Sequence, residues 1–285
     1  MRVVDEYRRS LKHREAEEIL DLLIYRPAGF LLVKAVYHLP VSPNMLTFLS
    51  MLAGLAAAWY FALDATSSWV YASVLYAVAN VIDCSDGQLA RLQKSGTLLG
   101  RVLDGLADYV TSVAVFVGLG VGLAQRGNAQ WLLVVASGLS SAVQAGVFDY
   151  VQGDFMANAG GVDNFLEKEV ERFRNHARTM GGQSGNPMRR WAVNLYLLYL
   201  STQEKLSSRG NYDRKVNDAG SSERRLIRLW SFLGPTTNRT ILIVCGLLGT
   251  IRLYLWTTTI LGNLWLVFCL LLQSRSLQST KRPAS

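Results

Sequence analysis

The sequence predicts an all-α polytopic membrane protein: six transmembrane helices, an N-terminal amphipathic surface helix and a cytoplasmic helical insertion. Three observations carry this expectation. Apolar runs recur at residues 45–63, 69–82, 98–123, 131–148, 240–256 and 257–272, most of them near the roughly 20 residues a bilayer crossing requires. Half of the 285 residues are hydrophobic, concentrated in these runs rather than spread evenly. With the N-terminus cytoplasmic, only Arg126 and Arg252 of the 29 Lys and Arg residues fall on the outer side, as the positive-inside rule expects.

Residues 1–42 form a juxtamembrane segment. The first 25 are charged and hold no apolar stretch before a small-residue cleavage site, so no signal peptide is expected. Ile19, Leu20, Leu22, Leu23 and Ile24 among Glu15, Glu17, Glu18 and Asp21 read as an amphipathic helix, either lying on the cytoplasmic membrane surface or packed against the spans. Pro27 is expected to break or restart it.

Residues 43–150 hold four spans. Pro43 suits a helix start, and Asn44 can cap the free amides there. The second run is short and is extended into the charged stretch that follows it. Gln144 and Asp149, near the end of the fourth span, face either an acceptor pocket or the headgroup zone.

Residues 151–235 are a polar, basic insertion expected on the cytoplasmic side. Its Arg189, Arg190, Arg224, Arg225 and Arg228 bind an anionic acceptor or lipid headgroups on one reading, and on the other are only the positive flank of a span. Residues 236–273 hold two spans that abut with no polar gap, so the sequence does not fix the boundary between them. Residues 274–285 are a cytoplasmic tail.

Several classes are excluded. Three cysteines, two of them in predicted spans, make no disulfide framework. No P-loop, nucleotide-binding glycine fingerprint or zinc spacing occurs. The net charge of +8 follows from topology and calls for no nucleic acid. Asn238-Arg239-Thr240 fits a glycosylation pattern that a cytoplasmic position would leave unused.

Chemistry concentrates between residues 80 and 110. Asp83, Asp86, Gly87, Ala90 and Arg91 fall within about 140° of one another on a helix. Gly100, Asp104 and Asp108 form a second stripe at four-residue spacing. A tight reversal between the two segments brings the four carboxylates to face each other. Each like-charge pair at about 4 Å costs on the order of 4 kcal/mol at an effective dielectric near 20, so the cluster requires cations. An all-carboxylate set selects hard divalent ions, Mg²⁺ or Mn²⁺, and two such ions suit the gripping of a diphosphate. Arg91 can hold a phosphate oxygen that the metals leave free. Without a Cβ, Gly87 admits a ligand close to the backbone, and Gly100 lets the two helices close up.

The order Asp83, Asp86, Gly87, Ala90, Arg91, Gly100, Asp104, Asp108, with all its spacings, resembles the full signature of the CDP-alcohol phosphotransferase (CDP-alcohol phosphatidyltransferase) family. Aspartates that merely pair with nearby Lys and Arg at helix ends do not account for the inward stripe. The resemblance implies an integral membrane enzyme in phospholipid biosynthesis that moves a substituted phosphate from a CDP-alcohol to a hydroxyl acceptor and releases CMP. It implies two Mg²⁺ or Mn²⁺ ions on Asp83, Asp86, Asp104 and Asp108, with Asp108 also the general base. Asp83, Gly87, Ala90 and Arg91 would bind the donor, with Asn44 nearby. It further implies a homodimer among membrane lipids, with the site and both termini cytoplasmic, in a bacterial inner membrane. Six spans with one motif resemble the members that use CDP-diacylglycerol and an inositol phosphate or glycerol phosphate acceptor; headgroup transfer from a CDP-polyol is the alternative. A divalent-cation transporter and an inactive scaffold are further readings, which the Ala90-Arg91 pair and the position at span ends argue against.

Overall fold

The computed structural model describes residues 2–11, 17–63, 66–127, 130–159 and 221–280, and every element among them is helical. Most of the insertion, including Arg189 and Arg190, lies outside the described residues.

The hub is α3 (Pro43–Ala62), which packs along both α4 (Thr66–Gln93) and α5 (Leu98–Gln125). Small residues allow this. A Cβ on Gly118 of α5 would lie 2.2 Å from the carbonyl oxygen of Ala58, and one on Gly122 2.1 Å from that of Phe61. The backbones therefore touch, as small-residue interfaces in membranes do. Around this contact Ala57, Phe61, Trp69, Tyr76, Val115, Leu119, Leu242 and Tyr254 close one apolar core.

Helix α3 begins with Ser42, whose extended backbone and side-chain hydroxyl receive the Met45 N–H at 3.3 Å. This corrects the expectation that Asn44 caps the helix. Pro43, with its fixed φ, takes the first helical position, so the residue before it is the cap. Between α4 and α5 the chain reverses over Lys94 to Thr97, with Lys94 at φ 52°, and the Thr97 hydroxyl accepts from the Gly100 N–H at 3.0 Å to start α5.

Beyond α5 comes α6 (Trp131–Ala159), which continues nine residues past the expected end of the fourth span. Helix α7 (Ser221–Trp230) and a 3₁₀ turn (Ser231–Leu233) lead into α8 (Pro235–Leu247). Trp230, Ile227 and Leu233 pack on Phe148 of α6 and on Leu266 and Cys269. Arg224, Arg225 and Arg228 lie on the exposed side of α7.

The boundary between the last two runs, which the sequence leaves open, falls at Gly249. Helix α8 ends at Leu248 to Thr250, where Gly249 takes φ 69° and the Thr250 N–H returns to the Cys245 carbonyl at 2.7 Å. That is a glycine C-cap. Past it, α9 (Ile251–Trp256) runs through a π-helical turn (Thr257–Gly262) into α10 (Asn263–Thr280) without a break at Trp256. Residues 256 and 257 therefore lie inside one continuous helix, and the left-handed backbone of Gly249 ends the helix before it. At 13 residues, α8 is about 20 Å long, short of a bilayer core.

Gln144 explains the π turn. Its Nε2 donates to the Thr258 carbonyl at 3.0 Å and to Asn263 Oδ1 at 3.1 Å, satisfying a backbone that the wider turn leaves open. Both bonds go to the protein's own groups, so Gln144 acts there as a structural residue. Asp149 is exposed.

Among the described residues, four helices are long and apolar enough to cross a membrane: Pro43–Ala62, Gly100–Gln125, Trp131–Phe155 and Ile251–Ser274. The chain is therefore read as a multi-pass membrane protein. Arg126 and Arg252 line one cavity of about 490 Å³, at the end of α5 opposite the aspartates and about 30 Å from them.

The N-terminal region follows an inverted pattern. Helix α1 (Arg2–Ser10) is followed, from residue 19, by a π turn (Asp21–Tyr25) and α2 (Arg26–Val36). Pro27 does not break this helix: the π turn, in which the Arg26 N–H reaches the Asp21 carbonyl, absorbs its missing donor. Glu17, Glu18, Asp21 and Arg26 are buried against the bundle, whereas Leu23, Ile24 and Leu31 are exposed. An apolar outer face with a charged inner one suits a helix at a lipid interface whose charges have partners in the protein.

Candidate active site

The motif occupies the C-terminal part of α4 and the first turns of α5, and the reversal between them joins its two halves. One carboxylate oxygen from each of Asp83, Asp86 and Asp104 lies within 4.8 Å of the others. Asp86 is buried and accepts a short hydrogen bond from the Thr47 hydroxyl of α3. Three hard oxygen donors so close, one of them out of water, match a divalent hard cation. No sulfur or imidazole competes in the group. Cys84 faces the other way, its Sγ 3.6 Å from Asp21 Oδ1.

Asp108 is not the fourth member of that group. Its Oδ1 accepts from Arg239 Nη2 at 2.6 Å, while Arg239 Nη1 donates to Asp83 Oδ2 at 3.2 Å and to Asn80 Oδ1 at 3.0 Å. The Arg239 side chain is 13% exposed, so its charge interacts with the carboxylates through little water, where such pairs are strong. Sequence reasoning missed this residue, seeing in Asn238-Arg239-Thr240 only a glycosylation pattern. The available signal was a lone arginine at the threshold of an apolar run, which needs a buried counter-charge.

Arg91 reaches from α4 to the N-terminal helix. Its Nε donates to the Ser10 carbonyl of α1, and its buried Nη2 has no hydrogen-bond partner among the described residues. A Cβ on Gly87 would sit 3.4 Å from Arg91 Nη1, so the glycine keeps the space over the guanidinium open. Ala90 is on the same face, half-buried. Gly100 also permits a close approach, but to α3 rather than α4: a Cβ there would meet Asn44 Oδ1 at 3.1 Å. This revises its expected part, because α3 stands along both motif helices. Asn44 is thereby brought to the rim of the site.

Beside Asn44 opens an apolar groove of about 1010 Å³, walled by Ile24 of the π turn and by Leu32, Met45, Phe48, Val78 and Ile82 from α2, α3 and α4. It runs from the aspartate end of the bundle along lipid-facing helix surfaces.

Below the site, a charged layer ties the N-terminal segment to α4 and α8. Arg26 Nε donates to Glu17 at 2.6 Å and its Nη1 to the Cys84 carbonyl at 3.3 Å. Burial and neighbouring Asp21 push the Glu18 carboxyl up to about 8, against the pull of its bonds from Thr236 and Thr237. Burial also raises Asp21, opposed by Arg26.

Residues 40–161 match the family described as CDP-alcohol phosphatidyltransferase. The chain is 33% identical over 150 residues to a phosphatidylinositol phosphate synthase from Corynebacterium glutamicum, covering 53% of this chain and 65% of the relative. It is 28% identical over 104 residues to an archaetidylinositol phosphate synthase from Pyrococcus horikoshii, covering 36% of this chain and 54% of the relative. Both matches thus span less than two thirds of the relatives' own length.

Proposed function

We propose that this chain, whose residues 40–161 match the CDP-alcohol phosphatidyltransferase family, transfers a phosphatidyl group from CDP-diacylglycerol to the hydroxyl of a phosphorylated polyol of the inositol phosphate class, releasing CMP. The observation that carries this reading is the meeting of three carboxylate oxygens with a deep apolar groove at the same end of the bundle. One holds metal for a diphosphate; the other accommodates acyl chains. The names of the two relatives, phosphatidylinositol phosphate synthase and archaetidylinositol phosphate synthase, support the acceptor class.

Asp83, Asp86 and Asp104 would hold the Mg²⁺ or Mn²⁺, which supplies charge to the diphosphate and its leaving oxygen. Arg91 offers its unpartnered Nη2 to a donor phosphate oxygen, and Gly87 leaves room for the nucleoside. Asp108 accepts the proton of the acceptor hydroxyl as that oxygen bonds to the phosphorus distal to cytidine and the bond to the bridging oxygen breaks. Arg239 orients Asp108 for that task. Arg126 and Arg252, at the far end of the bundle, support a cytoplasmic position for the aspartates, the bulk of Lys and Arg lying on their side. A homodimer of six-span subunits in a bacterial inner membrane is the assembly that the family resemblance implies.

The test is CMP release by purified protein with Mn²⁺ and CDP-diacylglycerol, comparing inositol phosphate, glycerol phosphate and free inositol. Release is expected to be fastest with inositol phosphate and to vanish when EDTA removes the metal. Turnover only with a CDP-polyol and a lipid acceptor would overturn the donor assignment. Release no greater than that of a variant lacking all four aspartates would overturn the activity.

A further inference from the structure

Helix α8 lacks a cap of its own. Gly234 precedes it and Pro235 opens it, and no local side chain accepts from its first amides. Buried amides at a helix start need acceptors. Here the acceptor comes from 218 residues upstream. Glu18 Oε1 receives the Thr236 N–H at 3.1 Å; Oε2 receives the Thr237 N–H at 2.8 Å and lies 2.9 Å from the Thr237 hydroxyl. Glu18 is 3% exposed.

Gly234 supplies an independent observation. Its backbone, φ −67° and ψ 156°, is one any residue adopts, so conformation does not call for glycine. Space does: a Cβ at this position would lie 2.1 Å from the Glu18 carboxyl carbon. The sequence at 234 is thus fitted to the carboxyl group of residue 18.

Arg239 lies two residues beyond Thr237, at the start of the turn that follows the one Glu18 grips. Adjacent turns of one helix move as a unit, so the seat of the Thr236 and Thr237 amides sets where the Arg239 guanidinium reaches Asp83 and Asp108. The geometry points to Glu18 as a positioning residue for the transferase site: by capping α8 across the fold, it holds Arg239 in register with the two aspartates. Glu18 itself touches none of the motif carboxylates. Its own surroundings are Asp21, whose charge faces it, and the Glu17–Arg26 pair.

The test uses the full-length protein and a double-mutant cycle with two readouts. The first is turnover, which rests on the proposed activity; the second is the affinity for Mn²⁺ alone, measured by its spin resonance, which does not. Glu18→Ala is expected to lower turnover on the order of 10- to 100-fold, the scale of a misplacement of about 1 Å. Glu18→Gln, which keeps one acceptor oxygen, should recover most of that loss. Both Glu18→Ala and Arg239→Ala should tighten Mn²⁺ severalfold, because a competing cation has left Asp83. In the Arg239→Ala background, Glu18→Ala should change neither readout further. Gly234→Ala, which displaces the Glu18 carboxyl without removing it, should reproduce the Glu18→Ala phenotype and decides the matter if Glu18→Ala does not fold. Effects of Glu18→Ala and Arg239→Ala that multiply, or wild-type behaviour of Gly234→Ala, would overturn the inference. A wild-type protein inactive with every substrate pair would sink the proposed activity, while the Mn²⁺ cycle would still decide the role of Glu18.

Discussion

Two parts of the molecule meet at the aspartates, and they were built in different ways. The α4–α5 half is local: its carboxylates lie within 26 residues of one another in the sequence, set by helical spacing and one tight reversal. The α8 half is remote, bringing Arg239 to Asp108 across 131 residues and Glu18 to Thr237 across 219. A short-range pattern thus lays out the metal group, and long-range packing completes its charge balance.

The sharpest way to break this comparison is to remove a carboxylate from the local half. Asp86→Asn should reduce CMP release on the order of 10³-fold, with Mn²⁺ binding lost in parallel; an active, metal-binding variant would detach Asp86 from the site. Asp108→Asn is expected to lower kcat by about 10²- to 10³-fold and leave the KM for the donor little changed. Equal damage to both would make it a binding group.

Damage to the remote half should be smaller. Arg239→Lys keeps a charge but cannot span Asp83, Asp108 and Asn80 with two nitrogens, so turnover should fall by about 10-fold, read in the same assay. The least effect concerns pH. Glu18 titrates near 8 in the folded protein against an ordinary 4.5, so the fold favours its protonated form. Its contribution to stability is therefore complete below 4.5 and is lost as pH rises through 8. The melting temperature of the detergent-solubilised protein should decline between about pH 4.5 and 8, and Glu18→Gln should flatten that decline.

What the sequence made legible follows the same division. Helical class, the motif face and the convergence of Asp83, Asp86 and Asp104 come from periodicities that a linear chain displays. Arg239 did not, because nothing near residue 239 indicates that the partners of its guanidinium lie on α4 and α5. The end of α8 at Gly249 was hidden by unbroken hydrophobicity, since lipid-facing side chains are apolar on both sides of a turn. Gln144 misled for a related reason: a buried polar group in a membrane helix suggests a ligand, yet here it answers the open carbonyl of Thr258. Gly100 was rightly expected to permit a close approach, but the identity of the approaching helix depended on α3 standing along both motif helices.

The cap on α8 has a consequence for how the protein is made. Ribosomes add roughly 5–20 residues each second, so Glu18 emerges about 10 to 40 seconds before the amides it serves. Before that interval closes, all five charged groups of the motif, Asp83, Asp86, Arg91, Asp104 and Asp108, have been made with α4 and α5, while Arg239, outside the motif, has yet to be synthesised. Competence for chemistry therefore arrives late in biogenesis, when the nascent C-terminal third docks on a latch laid down at the beginning.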